Sequence, residues 1–206
     1  MQLTSSTQAL VVNARLPVQS IRDLIALAKS EPGKLNYASA GLGAPNHLYG
    51  ELFKRTAGID IVHVPYKGDA PQLAALLAGE AQMAFMPVFP VLPNVKAGKL
   101  RALAVTSAKR SQSVADLPTM IEAGVPDFDF VGWVGLLGPG GMPGDLVAKL
   151  NAEAARILAL PDIRERLPGW GYEPVGGTPE EFAARYSSDV AKYAKIIREA
   201  NVPLID

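Results

Sequence analysis

The chain contains no cysteine among its 206 residues, which excludes disulfide bridges, thiolate metal ligands and cysteine nucleophiles. Histidine is almost as scarce, since His47 and His63 are the only two. No third metal ligand stands at a recognisable spacing from them. The sequence therefore predicts no metal and no cofactor.

The chain also lacks an excess of charge of either sign. Lys+Arg and Asp+Glu each total 20, so the formal net charge is zero. Proteins that bind nucleic acid or an anionic membrane surface usually carry a basic excess or stripe, so no nucleic-acid partner is expected. No apolar run approaches the roughly 20 residues of a membrane span, and residues 1–7 show neither the basic nor the apolar part of a signal peptide.

What the sequence does contain is an alternation of short β-type runs with helical ones. Strands are predicted at residues 9–12, 35–38, 59–64, 82–85, 101–106 and 128–137. Shorter helices are predicted between them, including one at 118–123, and helices at 145–160, 162–167 and 178–200 follow. The alternation favours an α/β fold with a mostly parallel sheet flanked by helices. The C-terminal helical block appears in this pattern without a strand of its own.

Three loops follow predicted strands, and ligands of open α/β sheets bind beyond the carboxyl ends of strands. In the first, Ser39–His47, two glycines let the backbone approach a ligand, and its amides are expected to be unpaired and to attract an anion. The second, Pro65–Asp69, offers a tyrosine and a lysine. The third, Met86–Pro90, is apolar and offers a pocket wall.

Each loop also has a purely structural interpretation: a tight strand-to-helix turn, a solvated lysine beside a capping aspartate, and a packed loop. Trp133 is a further candidate contact near the predicted crossover, and a plain core position is its alternative. The candidate ligand-binding residues are Ser39, Ala40, Gly41, Gly43, Ala44, Tyr66, Met86 and Trp133.

Catalysis is poorly supported by the sequence. A triad of Ser39, His47 and Asp60 can be drawn on paper, but the serine lacks the Gly-x-Ser-x-Gly elbow and the chain order differs from that of the hydrolases that carry one. We therefore expect a binding protein rather than an enzyme.

Several sequence runs stand in collinear order over nearly the whole chain and together resemble one family. They are Leu35–Ser39 with Gly41 and Gly43, Val62–Gly68, Lys96–Thr106 and Glu173–Phe182. They resemble the Bug family, the solute receptors of tripartite tricarboxylate transporters. The resemblance implies a two-domain protein of the type II periplasmic binding fold that closes on a small carboxylate and delivers it to membrane transporter subunits.

The resemblance also implies a division of the chain. Residues 8–127 would form the ligand-binding lobe, the family's second domain, and residues 128–206 would supply a crossover strand and C-terminal helices to an incomplete first domain. A full member would begin well before Met1, so an N-terminally truncated chain is expected. The implied location is periplasmic; without a signal peptide in this chain, it would be cytoplasmic if Met1 is a genuine start.

Three positions depart from the family's common pattern. Ala44 stands where threonine or serine is frequent, Asp69 where serine is, and Met86-Pro87 where an Asp-Asn-type pair is. A lost hydroxyl donor and an added negative charge favour a less polar or differently charged ligand. The rival function is a truncated interaction module that binds no ligand and forms a homodimer through exposed apolar faces of its C-terminal helices.

Overall fold

The computed structural model describes residues 1–203 and folds them into two lobes, each built on its own sheet. The strands are β1 (Gln2–Ser6), β2 (Gln8–Asn13), β3 (Asn36–Ser39), β4 (Val62–Pro65), β5 (Met83–Pro87), β6 (Leu100–Val105), β7 (Gly132–Gly135) and β8 (Glu173–Gly176). The helices are α1 (Ile21–Ser30), α2 (Pro45–Ala57), α3 (Asp69–Ala78), α4 (Val88–Lys96), α5 (Gly144–Leu158), α6 (Pro161–Gly169) and α7 (Pro179–Glu199). None of the helices within residues 1–203 combines the length and apolarity that a bilayer crossing requires.

The larger lobe contains a five-stranded sheet in the order β4-β3-β5-β2-β6. Strand β3 pairs in parallel with β4 and β5, whereas β2 is antiparallel to both β5 and β6. Four strands therefore run in one direction and β2 in the other. The predicted α/β class with a mostly parallel sheet is confirmed, but the reversed strand was not foreseen, because side-chain periodicity carries no information on strand direction.

Helices cover both faces of this sheet, which explains the four consecutive apolar residues, Ala9–Val12, at the centre of β2. Leu10 and Val12 point into the core cluster on the side of α1 and α2, while Ala9 and Val11 point into the cluster on the side of α3 and α4. A central strand buried on both faces needs apolar residues at consecutive positions rather than at alternate ones.

The smaller lobe contains a three-stranded antiparallel sheet in the order β7-β1-β8. The expectation that the C-terminal helical block lacks a strand is therefore wrong, because β8 lies between α6 and α7. The predicted strand 128–137 is also shorter than expected, since only Gly132–Gly135 is β7, and Phe128 and Phe130 belong to the core of the larger lobe. The predicted helix 118–123 is instead a run of turns after a bridge between Val105 and Thr119.

Three connections join the lobes. The chain passes from β1 to β2 at Thr7, and it returns toward β7 through Val131. Helix α7 is the third, because Phe182 in its first turn packs against Gly135 of the small sheet, whereas Ile196 near its end lies in the core of the larger lobe. The two extended crossings and this helix set the spacing of the lobes.

Candidate functional site

A cavity of about 430 Å³ lies between the lobes, at the carboxyl ends of β3, β4 and β5. This is the edge at which open α/β sheets bind their ligands. A smaller cavity of about 280 Å³ in the small lobe is lined mainly by apolar residues, whereas the interlobe cleft combines apolar surface with polar side chains from both sides. The cleft is lined by Gln8, Ala40, Ala44, Pro45, Asn46, Tyr49, Asp69, Pro87, Val131, Gly132, Trp133 and Tyr193.

Three helices begin at this cleft. Helices α2, α3 and α4 start at Pro45, Asp69 and Val88, and Pro45, Asp69 and Pro87 are among the lining residues. The first turn of a helix has amides without intrahelical partners and carries the positive end of the helix dipole. The larger lobe therefore directs three positive dipole ends at the cleft, although each first turn contains a proline without an N–H and α3 also carries Asp69 there.

The glycine-bearing loop between β3 and α2 is closed by its own hydrogen bonds. The expectation of unpaired amides at positions 40–44 is wrong for four of them, because each donates within the loop or to its supporting side chains. The four bonds are Ala40 N to Asn46 Oδ1 (3.1 Å), Gly41 N to Ser39 Oγ (3.2 Å), Gly43 N to His47 Nδ1 (3.0 Å) and Ala44 N to the carbonyl of Gly41 (3.2 Å). The loop therefore acts as a rigid wall of the cleft.

A stack of three rings, those of His47, His63 and Tyr37, packs on the side of this loop that faces away from the cleft. The His47 and His63 ring centroids are 3.9 Å apart, and the Tyr37 ring lies 4.9 Å from His63. Tyr37 donates its hydroxyl hydrogen to Glu51 Oε1 at 2.5 Å. Burial lowers the pKa of His63 to about 4, with further lowering from His47 and Lys54, and burial also lowers the pKa of His47. Both imidazoles are therefore neutral at neutral pH.

The serine of this region pairs with a different histidine from the one considered on sequence grounds. Ser39 Oγ lies 2.6 Å from His63 Nε2, whereas His47 Nδ1 accepts from Gly43. The side chain of Asp60 lies beside Gly33 instead, so the triad drawn on paper does not form. Ser39 is fully buried and does not border the cleft, so its hydroxyl has no access to a ligand there.

The structure brings three of the eight candidate residues to the cleft: Ala40, Ala44 and Trp133. Ser39, Gly41 and Gly43 shape the loop behind it without lining it. Tyr66 turns its hydroxyl toward Glu80 Oε2 (3.4 Å), and Met86 is buried in the core on the side of α3 and α4. Because successive side chains along β5 point to opposite faces, Pro87 rather than Met86 lines the cleft.

Buried amides connect the cleft wall to the sheet. Asn46 Nδ2 donates to Gln72 Oε1 (2.9 Å), and Gln72 Nε2 donates to the carbonyls of Ala38 (3.0 Å) and Phe85 (3.2 Å). These bonds join α2 and α3 to β3 and β5. Sequence reasoning missed both residues; the available signal was a polar side chain at an otherwise apolar helix position.

Two aromatic residues from distant parts of the chain also meet at the cleft. The hydroxyl oxygens of Tyr49 on α2 and Tyr193 on α7 are 3.0 Å apart. Only one of the two can donate to the other, so one hydroxyl hydrogen of the pair is available to a ligand. Nothing in the sequence indicates that Tyr193 meets Tyr49.

Trp133 is oriented by a polar network on its far side. Its Nε1 donates to Asp189 Oδ2 at 2.8 Å, and Arg185 Nε donates to the same oxygen at 2.8 Å. Arg185 also donates to the carbonyl of Val131 (3.3 Å). The indole therefore offers its ring, not its N–H, to the cleft, and the charge of Arg185 is compensated by Asp189.

Comparison with known proteins gives a consistent result. The sequence profile of a family described as tripartite tricarboxylate transporter family receptor matches residues 1–202. A protein from Pseudomonas sp. (strain P51), described as a UPF0065 protein in the tcbD-tcbE intergenic region, is 38% identical over 191 residues; the match covers 92% of this chain and 57% of that protein. The chain thus spans less than two thirds of the length of this relative.

Solved structures show the same fold. The structure of R. palustris Rpa4515 with adipate has a TM-score of 0.89 at 36% identity, covering 99% of this chain and 69% of the other. The structure of MatC (Rpa3494) from Rhodopseudomonas palustris with bound malate has a TM-score of 0.81 at 29% identity, covering 95% of this chain and 68% of the other.

Proposed function

The chain belongs to the tripartite tricarboxylate transporter receptor family, and from that membership we propose that it captures a small organic solute, in the first place a carboxylate, for delivery to a membrane transporter. The observation that carries the proposal is the interlobe cleft at which α2, α3 and α4 begin. The structures with adipate and with malate, both carboxylates, support it. Such a receptor works outside the cytoplasm, and this location is part of the proposal.

Each lining group has a distinct task in this scheme. The first turns of α2 and α4 supply positive dipole ends to the carboxylate rather than a row of amides, because Pro45 and Pro90 have no N–H and the Val88 amide donates to the carbonyl of Thr7. The Tyr49–Tyr193 hydroxyl pair supplies one further donor. The Trp133 ring covers the apolar part of the solute, and its attachment to Asp189 fixes the plane of the ring.

Closure of the lobes is the signal that we propose a transporter reads. The two crossings at Thr7 and Val131 are the hinge segments, because each joins a strand of one sheet to a segment packed on the other. The division into a ligand-binding lobe of residues 8–127 and a partner lobe from 128 onward stays a prediction, and Phe128 and Phe130 pack in the core of the larger lobe, before the crossing at Val131. The end of α7 packs on the larger lobe, so this helix follows both bodies during closure.

Binding without catalysis fits the chemistry of the cleft. The Ser39–His63 pair combines the residue types of a nucleophile and a base, but its serine is fully buried away from the cleft. Within residues 1–203, no group of three or more His, Asp or Glu side chains is arranged to hold a metal ion.

Isothermal titration calorimetry against a panel of mono-, di- and amino-carboxylates tests the proposal. We expect saturable binding of at least one compound, and weaker binding in Tyr49→Phe, which removes a hydroxyl from the cleft. Tyr66→Phe is the matched control, since that hydroxyl faces Glu80 instead. A folded protein that takes up none of the panel at millimolar concentration would refute the receptor function.

The interaction-module function stays a prediction. Helix α5 contains no buried residue, and it leaves Leu146, Leu150 and Ile157 exposed. No contact within residues 1–203 shows what would cover them. Gel filtration over a range of protein concentrations, run beside the calorimetry, measures whether the chain forms a homodimer.

A further inference from the structure

Among residues 1–203, one formally charged side chain lines the cleft, that of Asp69, and its charge is negative. We propose that Asp69 makes the cleft select a solute with an amino group, or another cationic group, at the end opposite its carboxylate, so that amino-carboxylates bind in preference to dicarboxylates. The proposal rests on the receptor function above and assigns the class of its ligand.

The first observation concerns the charged side chains among the residues that line the cleft. Asp69 is the only Asp, Glu, Lys, Arg or His among the residues that border the cleft in the described part of the chain. Arg185 lies behind Trp133 and is held by Asp189. A second carboxylate on the solute would therefore meet a like charge without a compensating basic side chain.

The second step is that Asp69 keeps its acceptor capacity. None of the ion pairs or side-chain hydrogen bonds found among residues 1–203 involves its carboxylate, and the residue is exposed. An unpaired carboxylate at the edge of a cleft is suited to an ammonium group.

The third step is that the other polar side chains that line the cleft carry no charge. Asn46 Nδ2 and Gln8 Nε2 each donate one hydrogen within the protein, to Gln72 Oε1 at 2.9 Å and to Ser6 Oγ at 3.2 Å, and each keeps a second one. One hydroxyl hydrogen of the Tyr49–Tyr193 pair remains. The carboxylate of the solute is therefore expected to lie beside the first turns of α2 and α4. On the α3 side, the Asp69 carboxylate offers a hydrogen-bond acceptor. A solute that carries one group of each sign fits both sides.

Matched pairs of equal chain length test this selectivity. Calorimetry would compare succinate with 4-aminobutanoate, glutarate with 5-aminopentanoate, and adipate with 6-aminohexanoate, so that each pair differs in one terminal group. We expect the amino compound of the best-fitting length to bind about tenfold more tightly than its dicarboxylate, as expected for one charge of reversed sign near a solvent-exposed carboxylate.

The variant Asp69→Asn keeps the shape and removes the charge. It should lower the preference for the amino-carboxylate over the dicarboxylate by about tenfold, because dicarboxylate binding becomes stronger and amino-carboxylate binding becomes weaker. Asp162→Asn is the control, because Asp162 also lies in the first turn of a helix, α6, but does not border the cleft. Circular dichroism of each variant verifies folding.

The outcomes separate the two proposals. Tighter binding of the dicarboxylates by the unmodified chain, with a ratio that Asp69→Asn leaves unchanged, would overturn the role of Asp69 while the receptor function stands. Absence of binding for every compound of both series, with the chain folded, would overturn the receptor function and this inference with it.

Discussion

At the residue scale, the wall of the cleft depends on side chains that do not touch the cleft. His47 accepts from the Gly43 amide, and His63 lies within hydrogen-bond distance of Ser39, whose hydroxyl in turn meets the Gly41 backbone. The contact from the Gly43 amide requires His47 Nδ1 to be without a hydrogen. Protonation of either ring would place a positive charge 3.9 Å from its stacked partner. The loop is therefore coupled to the charge state of the two histidines.

This coupling predicts a loss of stability in acid. The folded state lowers the pKa of His63 from its ordinary value of 6.5 to about 4, so below pH 6.5 the unfolded state binds more protons than the folded one. Stability should fall as the pH falls from about 6.5 to about 4, by roughly 1–2 kcal/mol after allowance for solvent access to the ring.

Urea unfolding between pH 7 and pH 4 measures this loss. His63→Gln keeps a hydrogen-bonding side chain without the titration, so its stability should depend less on pH over this interval. An equally steep dependence in the variant would show that the acid loss arises elsewhere.

At the element scale, helix α7 links the lobes. Its first turn is fixed by a capping box in which the side chains of Thr178 and Glu181 each accept from the other's backbone amide. Phe182 then packs on the small sheet, with its ring 5.1 Å from that of Trp133, and Ile196 is buried in the larger lobe. One helix thus carries contacts to both sheets and to the cleft.

The buried end of α7 should therefore contribute to the stability of the larger lobe. Ile196 is 5% exposed, so Ile196→Ala should lower the free energy of unfolding by about 2–4 kcal/mol. Val190 on the same helix is 51% exposed, and Val190→Ala should change it by no more than about 0.5 kcal/mol. Urea unfolding of both variants compares them; equal effects would mean that the end of α7 does not pack on the larger lobe.

The elements of the larger lobe could be predicted from the sequence because local signals agree there. Strand β2 has four consecutive apolar residues at its centre, and Ser20 caps α1, since its Oγ accepts from the amide of Asp23 at 3.1 Å. Strands β1 and β8 were missed because their sequences, QLTSS and EPVG, are short and mostly polar or contain proline. Their strand state comes from pairing with residues more than 100 positions away along the chain.

The cleft was predictable only in part, for the same reason. A loop rich in glycine after a strand indicates a site locally, and that loop does form one wall. Gln8, Tyr49 and Tyr193 join the site from three different elements, and the sequence does not show that they converge. The sequence equally gave no sign that Asn46 and His47 would satisfy the loop's own amides.

At the scale of the whole molecule, the two segments that cross between the lobes, at Thr7 and at Val131, lie side by side with little free space between them. Gly132 begins β7 directly after the Val131 crossing, and a Cβ at this position would lie 2.5 Å from Ser6 Oγ and 2.9 Å from Gln8 Nε2. Those two side chains flank the other crossing, at Thr7. Glycine therefore allows the two crossing segments to lie side by side, and both Gly132 and Gln8 border the cleft.

A methyl group at this crossing should disturb binding more than folding within each lobe. Gly132→Ala forces Ser6 and Gln8 to move, which shifts one lobe against the other, so we expect weaker binding of the best carboxylate by about tenfold or more. Small-angle X-ray scattering should show a smaller radius of gyration on ligand saturation in the unmodified chain and a reduced change in the variant. Gly140→Ala is the control, since a Cβ there has no neighbour within 4 Å. If Gly132→Ala binds and compacts as the unmodified chain does, the crossing segments are not the hinge, and closure must be sought elsewhere in the fold.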